Sequence, residues 1–378
     1  MRILFIPNRG GPISHGVPLL ALSDLLHSAK FTKAFLIPQH MHGFFKMAGA
    51  EVVGMHHDGV RTEIMAYNRF KPDIVVDDFS LSTAVASTLV KLPRVTIQRT
   101  GTFPNSLPNN PSHRHSGNLD LSSFMDFAKL GLPQPRSLAD LAQGDAIIVP
   151  GISSLEPLPV SVHGDHKYFY AGPLLIKDYF SKRSGHFSQS LGEVEQFFRE
   201  HASMKVVYVT LGNIVQPHAL LQASIRSLSE VGLPIISNVS LQRMDQKHYF
   251  YAPYLPNHYI CSRVALVVHH CGSGTYHYPI LHQTPFITVG TGTYDRDDVA
   301  IRLRDAGAGC YIPSPEECED FQHRFVREVM SHLSANAQEM ASRRLALREL
   351  KDEIVRTSES FNFEEVINFA LSAKRSHH

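Results

Sequence analysis

The chain has 378 residues, more than one hydrophobic core usually organises, which favours two domains. Its hydrophobic fraction of 43% and charged fraction of 19% are those of an ordinary globular protein. With 36 basic and 35 acidic side chains the net charge is +1, which argues against nucleic acid as a partner, and no run of 18 apolar residues predicts a membrane span.

The first half of the chain alternates short apolar runs with segments of helical periodicity. The predicted strands cover residues 2–7, 34–38, 51–55, 73–76, 94–97 and 146–149. The predicted helices cover residues 18–27, 61–69, 81–90 and 119–130. Strands that alternate with helices indicate a doubly wound, mostly parallel α/β sheet. The proline-rich residues 102–115 interrupt this rhythm and are typical of a loop or lid.

A polar stretch, 181–192, follows a Gly-Pro turn and marks a domain boundary, after which the pattern restarts. The predicted strands of the second half are 206–211, 234–237, 264–268 and 285–289, and the predicted helices are 219–231, 297–306, 317–351 in pieces, and 363–374. We therefore predict an N-terminal domain over 1–175, a C-terminal domain over 176–355, and a C-terminal helix and tail over 356–378 that packs back on the N-terminal domain. Two facing Rossmann-like halves of this kind would leave an interdomain cleft at the carboxyl ends of their strands.

The number and positions of the cysteines indicate the redox environment of the protein. All four (Cys261, Cys271, Cys310 and Cys318) fall in the last 118 residues without metal-ligand spacing. The N-terminal apolar run is too short for a signal peptide and is typical of a first strand. We expect a reduced, cytoplasmic location, no metal requirement, and a monomer or homodimer.

One stretch, 264–309, carries chemistry of its own. Its first apolar run ends in His269, His270, Cys271 and then Gly-Ser-Gly-Thr, where small residues and hydroxyls suit an anion, and a helix beginning there would aim N–H groups at a phosphate. Its second apolar run is followed by Asp295 and Arg296, in a segment whose carboxylates suit sugar hydroxyls.

The same stretch resembles the donor-binding signature of the UDP-glycosyltransferase superfamily, whose members include plant UDP-glucosyltransferases and bacterial macrolide and antibiotic glycosyltransferases. The family pattern is roughly HHGGSGT, then a Glu, GVP and a DQ pair, and this chain has HHCGSGTYHYPILHQTPFITVGTGTYDRDD. SHGVPLL, YAGPLL and VVYVTLGN resemble further family segments in the same order. The resemblance implies a GT-B fold and sugar transfer from a nucleotide diphosphate.

The resemblance implies a catalytic base and its partner in the first half. His15 occupies the histidine of an H-x-x-P motif, in a loop after the first strand, and would deprotonate an acceptor hydroxyl. Asp78 follows another strand and would orient the imidazole. A loop histidine that caps a helix, and an aspartate that serves as a helix N-cap, are the alternatives. Asp77 would point the opposite way.

The resemblance also implies donor contacts in the second half. The donor's phosphates would be bound by Gly212, Asn213, His270, Gly272, Ser273, Gly274 and Thr275. Tyr254 would stack on the base, and Asp295 with Arg296 would contact the sugar. Two positions depart from the pattern, because Tyr278 stands where relatives have Glu, and Arg296 where they have Gln.

The function expected from these residues is that of an inverting, metal-independent glycosyltransferase that uses UDP- or dTDP-sugar and a small-molecule acceptor such as a natural product or lipid. Phe44, Phe45, Met47, Phe79 and Phe103 could line an apolar acceptor site. A nucleotide-sugar epimerase or hydrolase, and a catalytically weak binding or helper protein of the same fold, remain alternatives. A dinucleotide dehydrogenase is disfavoured because no G-x-G-x-x-G follows the first strand.

Overall fold

The computed structural model describes residues 1–10, 13–55, 59–107, 127–175, 185–212, 218–241, 247–253 and 255–375. These residues form two compact units. The first unit contains the described residues up to 175 together with 356–375, and the second contains the described residues between 185 and 355. The chain therefore returns to the first unit at its C-terminus.

A parallel sheet of seven strands forms the described core of the first unit. The strands are β1 (Arg2–Pro7), β2 (Thr32–Ile37), β3 (Val52–Met55), β4 (Ile74–Asp78), β5 (Arg94–Ile97), β6 (Ala146–Val149) and β7 (Tyr168–Tyr170). Their spatial order is β3-β2-β1-β4-β5-β6-β7. The chain winds outward from β1 in one direction and from β4 in the other, so a topological switch point, where α/β proteins bind ligands, lies between β1 and β4.

Helices flank this sheet. They are α1 (Val17–Leu25), α2 (His42–Met47), α3 (Gly59–Phe70), α4 (Leu81–Leu89) and α5 (Leu138–Leu141). Local sequence explains two of their starts: α1 has a proline in its first turn, and the side chain of Ser80 caps α4 by accepting from the N–H of Thr83. The core strands carry near-continuous apolar runs because a parallel sheet is covered on both faces.

The second unit repeats this plan with six strands. They are β8 (Val207–Thr210), β9 (Ile235–Ser237), β10 (Tyr249–Tyr251), β11 (Leu266–His269), β12 (Phe286–Val289) and β13 (Gly309–Ile312), in the order β10-β9-β8-β11-β12-β13. Its helices are α6 (Gly185–Glu200), α7 (Ala219–Glu230), α8 (Asn257–Cys261), α9 (His277–His282), α10 (Tyr294–Asp305), α11 (Phe321–Leu333) and α12 (Ala337–Ser360), whose last turn belongs to the first unit. A second switch point lies between β8 and β11.

The last helix, α13 (Phe363–Arg375), packs on β5 and β6 of the first unit. The ring of Phe369 meets Phe169 edge-on with centroids 5.4 Å apart, and Glu364 forms an ion pair with Lys30. Aromatic burial of this kind anchors a helix more firmly than an exposed ion pair does.

The structure differs from the predicted elements in one long helix and several short pieces. Helix α6 (Gly185–Glu200) was not predicted, and its first residues fall within the polar stretch 181–192 that was assigned to the domain boundary. The sequence analysis did not predict β10, β13 or α2, because each is six residues or fewer and β10 buries only one of its three residues. Strand β11, the first strand of the 264–309 stretch, begins at Leu266, two residues later than predicted, and ends at His269, one residue later than predicted. Most of the predicted helix over 119–130 lies outside the described residues, and its last three residues, Ala128–Leu130, form a 3₁₀ turn.

Candidate functional site

His15 and Asp78 meet at the switch point of the first unit. His15 ends a 3₁₀ turn (Ile13–His15) after β1, and Asp78 ends β4, whose register pairs Asp78 with Pro7 of β1. The imidazole Nδ1 lies 3.2 Å from Oδ2 of Asp78, a close electrostatic contact whose direction is not that of a formed hydrogen bond. The carboxylate is fully buried and the imidazole is 23% exposed, so a solvent-accessible histidine rests on an enclosed charge.

A second cation, Arg99, binds the same carboxylate. Its Nη1 lies 2.6 Å from Oδ1 of Asp78 and its Nη2 lies 3.0 Å from Oδ2, which makes a bidentate pair. Burial opposes the charged carboxylate, but Arg99 and His15 outweigh it and hold the pKa of Asp78 at about 2. Asp78 is therefore ionised at neutral pH. The sequence analysis did not identify Arg99, although it follows a strand as Asp78 does.

Asp77 points to the opposite side of the sheet, as predicted. It pairs with Arg94, whose Nε lies 2.7 Å from Oδ1, and it accepts from the N–H of Ser80 at 2.7 Å. The Arg94 guanidinium also donates to the backbone carbonyl of Gln143 at 3.1 Å. Both side chains are buried, and burial raises the pKa of Asp77 more than Arg94 lowers it. This neighbouring pair is structural.

A strained backbone position follows Asp78. Phe79 has φ +51°, a left-handed conformation that costs a non-glycine residue about 1 kcal/mol or more. The side chain of Asn8, just after β1, donates to the Phe79 carbonyl at 3.0 Å and accepts from the N–H of Gly10 at 3.0 Å. The link ties the ends of β1 and β4 together around the His15–Asp78 pair.

The imidazole of His270 lies between two glycines at the switch point of the second unit. A Cβ on Gly212 would lie 2.7 Å from Cε1 of His270, and a Cβ on Gly272 would lie 2.6 Å from its Nε2. Gly212 also has φ +58°, which favours glycine. The structure thus brings together three of the predicted phosphate-binding residues, although Gly212 precedes His270 by 58 positions. A side chain at either glycine would collide with the imidazole ring.

Burial governs the charge state of His270. It lowers the pKa of the imidazole to about 3, and the positive charge of Arg296 lowers it further. Burial also lowers the pKa of His269 and of His277 to about 3. All three rings are neutral at pH 7, so His270 offers a neutral imidazole to a ligand.

The turn after His270 exposes backbone donors. Gly272 and Ser273 are half-buried and Gly274 is exposed, whereas Thr275 is only 8% exposed. Within the described part of the chain, the N–H groups of Gly272 and Gly274 have no acceptor. The helix expected to begin here, α9, starts only at His277 and has six residues. The anion-binding capacity therefore rests on turn N–H groups more than on a helix dipole.

Asp295 and Arg296 begin α10, in the loop that follows β12. Since β12 pairs with β11, with Thr288 opposite His269, this loop and the His270 turn leave neighbouring strand ends. Asp297 accepts from the N–H groups of Thr291 and Gly292, and Asp298 pairs with Arg302. The backbone N–H of Arg296 donates to the Thr293 carbonyl at 3.2 Å. Its guanidinium pairs with neither of these acids and has no hydrogen-bonding partner among the described residues.

The remaining predicted positions lie partly outside the described residues. Asn213 and Tyr254 lie outside the described residues. Tyr278, where relatives have Glu, is half-buried, and burial together with nearby Cys261 raises its pKa. Of the residues proposed to line an acceptor site, Phe44, Phe45 and Phe103 are core residues, and Phe45 packs against Gly16 and Phe35.

Other features of the described residues are negative or unremarkable. Residues 1–10, 13–55, 59–107, 127–175, 185–212, 218–241, 247–253 and 255–375 contain no helix long and apolar enough to cross a membrane. Nor do these ranges group three or more histidine, cysteine or acidic side chains in a way that could hold a metal ion. The four cysteines are free thiols.

Comparison with known proteins gives a consistent answer. No protein-family model matches the chain. Over 280 residues it is 23% identical to 3-alpha-mycarosylerythronolide B desosaminyl transferase of Saccharopolyspora erythraea, a match that spans 69% of this chain and 62% of the relative. The chain thus matches less than two thirds of that relative's length.

Solved structures match over nearly the whole chain. A spinosyn rhamnosyltransferase complexed with thymidine diphosphate has a TM-score of 0.65 at 17% identity, covering 94% of this chain and 96% of that one. A UDP-glucose:anthocyanidin 3-O-glucosyltransferase in complex with UDP has a TM-score of 0.68 at 15% identity, covering 99% of both chains. The fold is therefore the GT-B fold of glycosyltransferases, which confirms the predicted fold class. The similarity to these glycosyltransferases is a similarity of fold.

Proposed function

We propose that the protein is an inverting glycosyltransferase that moves a sugar from a nucleotide diphosphate to a hydroxyl of a small-molecule acceptor. The observation that carries the proposal is the His15–Asp78 contact: a solvent-accessible imidazole rests on a fully buried, ionised carboxylate at a ligand-binding switch point. That is the arrangement of a general base and the group that orients it.

The proposed chemistry assigns each nitrogen of His15 a role. Nδ1 carries the proton and faces Asp78, which leaves Nε2 to accept the proton of an acceptor hydroxyl. The oxygen then attacks the anomeric carbon of the donor as the bond from that carbon to the diphosphate oxygen breaks. A single displacement of this kind inverts the anomeric centre. The negative charge of Asp78 stabilises the imidazolium formed, and the proton leaves His15 for solvent after transfer.

The departing diphosphate gains negative charge as the bond breaks, and the second unit offers groups suited to stabilise it. His270 presents its imidazole beside the glycines, and the N–H groups of Gly272 and Gly274 are available. Donors aimed at charge that develops in the transition state contribute to rate as well as binding. In this proposal no metal ion is required, since the protein's own donors bind the diphosphate.

The donor and acceptor are proposed as classes. The relatives named above include complexes with thymidine diphosphate and with UDP, so either nucleotide is a candidate donor base. The curated relative is named as a transferase acting on an erythronolide, which favours a natural-product acceptor here. Asp295 would accept from sugar hydroxyls, and Arg296, whose charge acts on His270, would place a positive charge close to the diphosphate and sugar.

The decisive experiment separates chemistry from donor binding. We expect wild-type protein incubated with UDP- or dTDP-sugars and a panel of hydroxylated acceptors to release nucleoside diphosphate and a heavier acceptor. His15→Ala should lower transfer by at least 100-fold, since general base catalysis contributes about 10²–10⁴. The dissociation constant for nucleoside diphosphate, measured by calorimetry, should not change. Normal transfer by the variant would show that the base assignment is wrong.

A second candidate is a donor-binding or helper protein of the same fold without transfer activity. The specific observation in its favour is that Tyr278 and Arg296 replace two residues of the family pattern, and that Tyr278 carries no carboxylate that could accept from ribose hydroxyls. Nucleoside diphosphate binding by the wild-type protein without transfer to any acceptor would favour this candidate.

A further inference from the structure

We propose that Arg99 is a positioning residue that fixes the Asp78 carboxylate for His15 and, as a second cation on that carboxylate, opposes protonation of His15. The proposal is based on the bidentate hydrogen bonds from Arg99 to Asp78, next to the contact between Asp78 and His15. The role as a base rests on the proposed function, but the effect on His15 protonation does not.

The geometry makes Asp78 a shared counter-ion. Oδ1 lies 2.6 Å from Arg99 Nη1, whereas Oδ2 lies 3.0 Å from Arg99 Nη2 and 3.2 Å from His15 Nδ1. A planar fork that holds both oxygens fixes the rotation of the carboxylate, which an ammonium cannot do. Oδ2 is thereby kept turned toward the imidazole.

Arg99 is itself held in place. Register pairs Asp78 of β4 with Ile97 of β5, which puts Arg99 two residues past the paired position. A 3₁₀ turn (Thr100–Thr102) follows it, and the Thr102 hydroxyl accepts from the Arg99 N–H at 3.2 Å and donates to the Arg99 carbonyl at 2.8 Å. Its side chain is only 16% exposed. Because Arg99 is largely buried and its backbone is hydrogen-bonded to Thr102, its guanidinium has a defined position beside Asp78.

The charge balance gives the direction of the effect. With Arg99 present, the three groups sum to zero when His15 is neutral and to +1 when it is protonated. Without Arg99, the sums are −1 and zero. An enclosed cation next to the shared carboxylate therefore disfavours protonation of His15, and its removal favours it.

Other charged side chains on the neighbouring elements have contacts of their own or are exposed. Asp77 pairs with Arg94 on the opposite side of the sheet. Buried Glu156 accepts from the Thr100 N–H at 3.3 Å, and the charge of Lys33 acts on Asp24 of α1. Lys46 of α2 is exposed. Arg9, in the loop after β1, is engaged by another group. Among these, Arg99 and His15 are the groups whose charges act on Asp78.

The neighbouring pair supplies a matched control. Arg94 binds Asp77 through a similar buried fork, one residue earlier on β4 and across the same two strands, but on the other face. A role that is only structural predicts that conservative changes at Arg94 and Arg99 have similar effects. A role in tuning His15 predicts that only the Arg99 change alters His15 protonation.

The test is an NMR titration of the His15 imidazole in the full chain, with its signal assigned by its loss in His15→Gln. We expect R99Q to raise the titration midpoint by about two to three pH units, the size given by one unit charge about 4–6 Å away at an effective dielectric constant near 20. R99K keeps the positive charge and should shift the titration midpoint of His15 by less than about 0.3 pH unit. R94K should leave it unchanged.

Where transfer is detected, the acid limb of the kcat/KM profile should move to higher pH in R99Q by the same amount. R99K should lower kcat because a lysine cannot form the bidentate contact with Asp78. If R99Q does not fold, R99Q/D78N takes its place, and His15 should titrate at higher pH there than in D78N. An unchanged or lowered midpoint in the folded variant would overturn the proposal. A raised midpoint without transfer by any protein would refute the proposed function and leave this inference standing.

Discussion

Gly272→Ala tests whether the space beside His270 is a diphosphate site. The added Cβ would lie 2.6 Å from Nε2 of His270 and 3.0 Å from its Cε1, well inside the 3.4 Å at which ordinary contact begins. The ring must move by several tenths of an ångström, and Nε2 is the atom displaced most directly. Gly272 does not have positive φ, so the effect is steric rather than conformational.

The magnitude follows from the bond that is lost. A hydrogen bond to a charged group contributes about 1.5–3 kcal/mol, so we expect nucleoside diphosphate to bind about 10- to 150-fold more weakly. The overpacked ring should also lower the free energy of unfolding by about 1–3 kcal/mol. Gly192→Ala, on helix α6 of the same unit with nothing within 4 Å of the added Cβ, is the control.

Calorimetric titration of wild type, G272A and G192A with UDP and with dTDP measures the effect at 25 °C. G192A should bind as the wild type does and be more stable by about 1 kcal/mol, because alanine is favoured over glycine within a helix. Wild-type affinity in folded G272A would refute the placement of the diphosphate beside His270. Failure of the wild type to bind either nucleotide would refute the donor site as a whole.

Two further predictions concern charge. His269, His270 and His277 have folded pKa values near 3, below the unfolded value of about 6.5, so their neutral forms stabilise the fold above pH 6.5 and that stability is lost as pH falls toward 3. In urea denaturation, the free energy of unfolding should fall by up to about 4 kcal/mol per pH unit below pH 6. His277→Asn should reduce that slope by about one third, and an unchanged slope would contradict the argument. Arg296→Gln should weaken nucleoside diphosphate binding by about 3- to 10-fold at 0.15 M salt, because it removes a partly exposed positive charge near the phosphates. The conservative R296K should retain most of the affinity, and equal affinities in all three proteins would show that Arg296 does not face the diphosphate.

Several features of the candidate site could be predicted from local sequence. Ligand groups in α/β proteins follow the carboxyl ends of strands, so the residues just after an apolar run are marked as candidates. His15, Asp78, His270 and Asp295 all follow such runs, and the resemblance to a family supplied the roles predicted for them. The same signal was available for Arg99 but was not used, because no family motif includes it. Short elements such as β10 gave no usable pattern, since three residues cannot display a period.

The sequence by itself determined the α/β class, the order of the long strands and helices, and which loops carry reactive side chains, because these depend on patterns within a few residues. Only the tertiary structure decided which distant residues share a site. Arg99 reaches Asp78 because β5 pairs with β4 in one register, and Gly212 makes room for His270 because β8 pairs with β11. Strand order and register arise from the burial of the whole sheet, so no local pattern contains them.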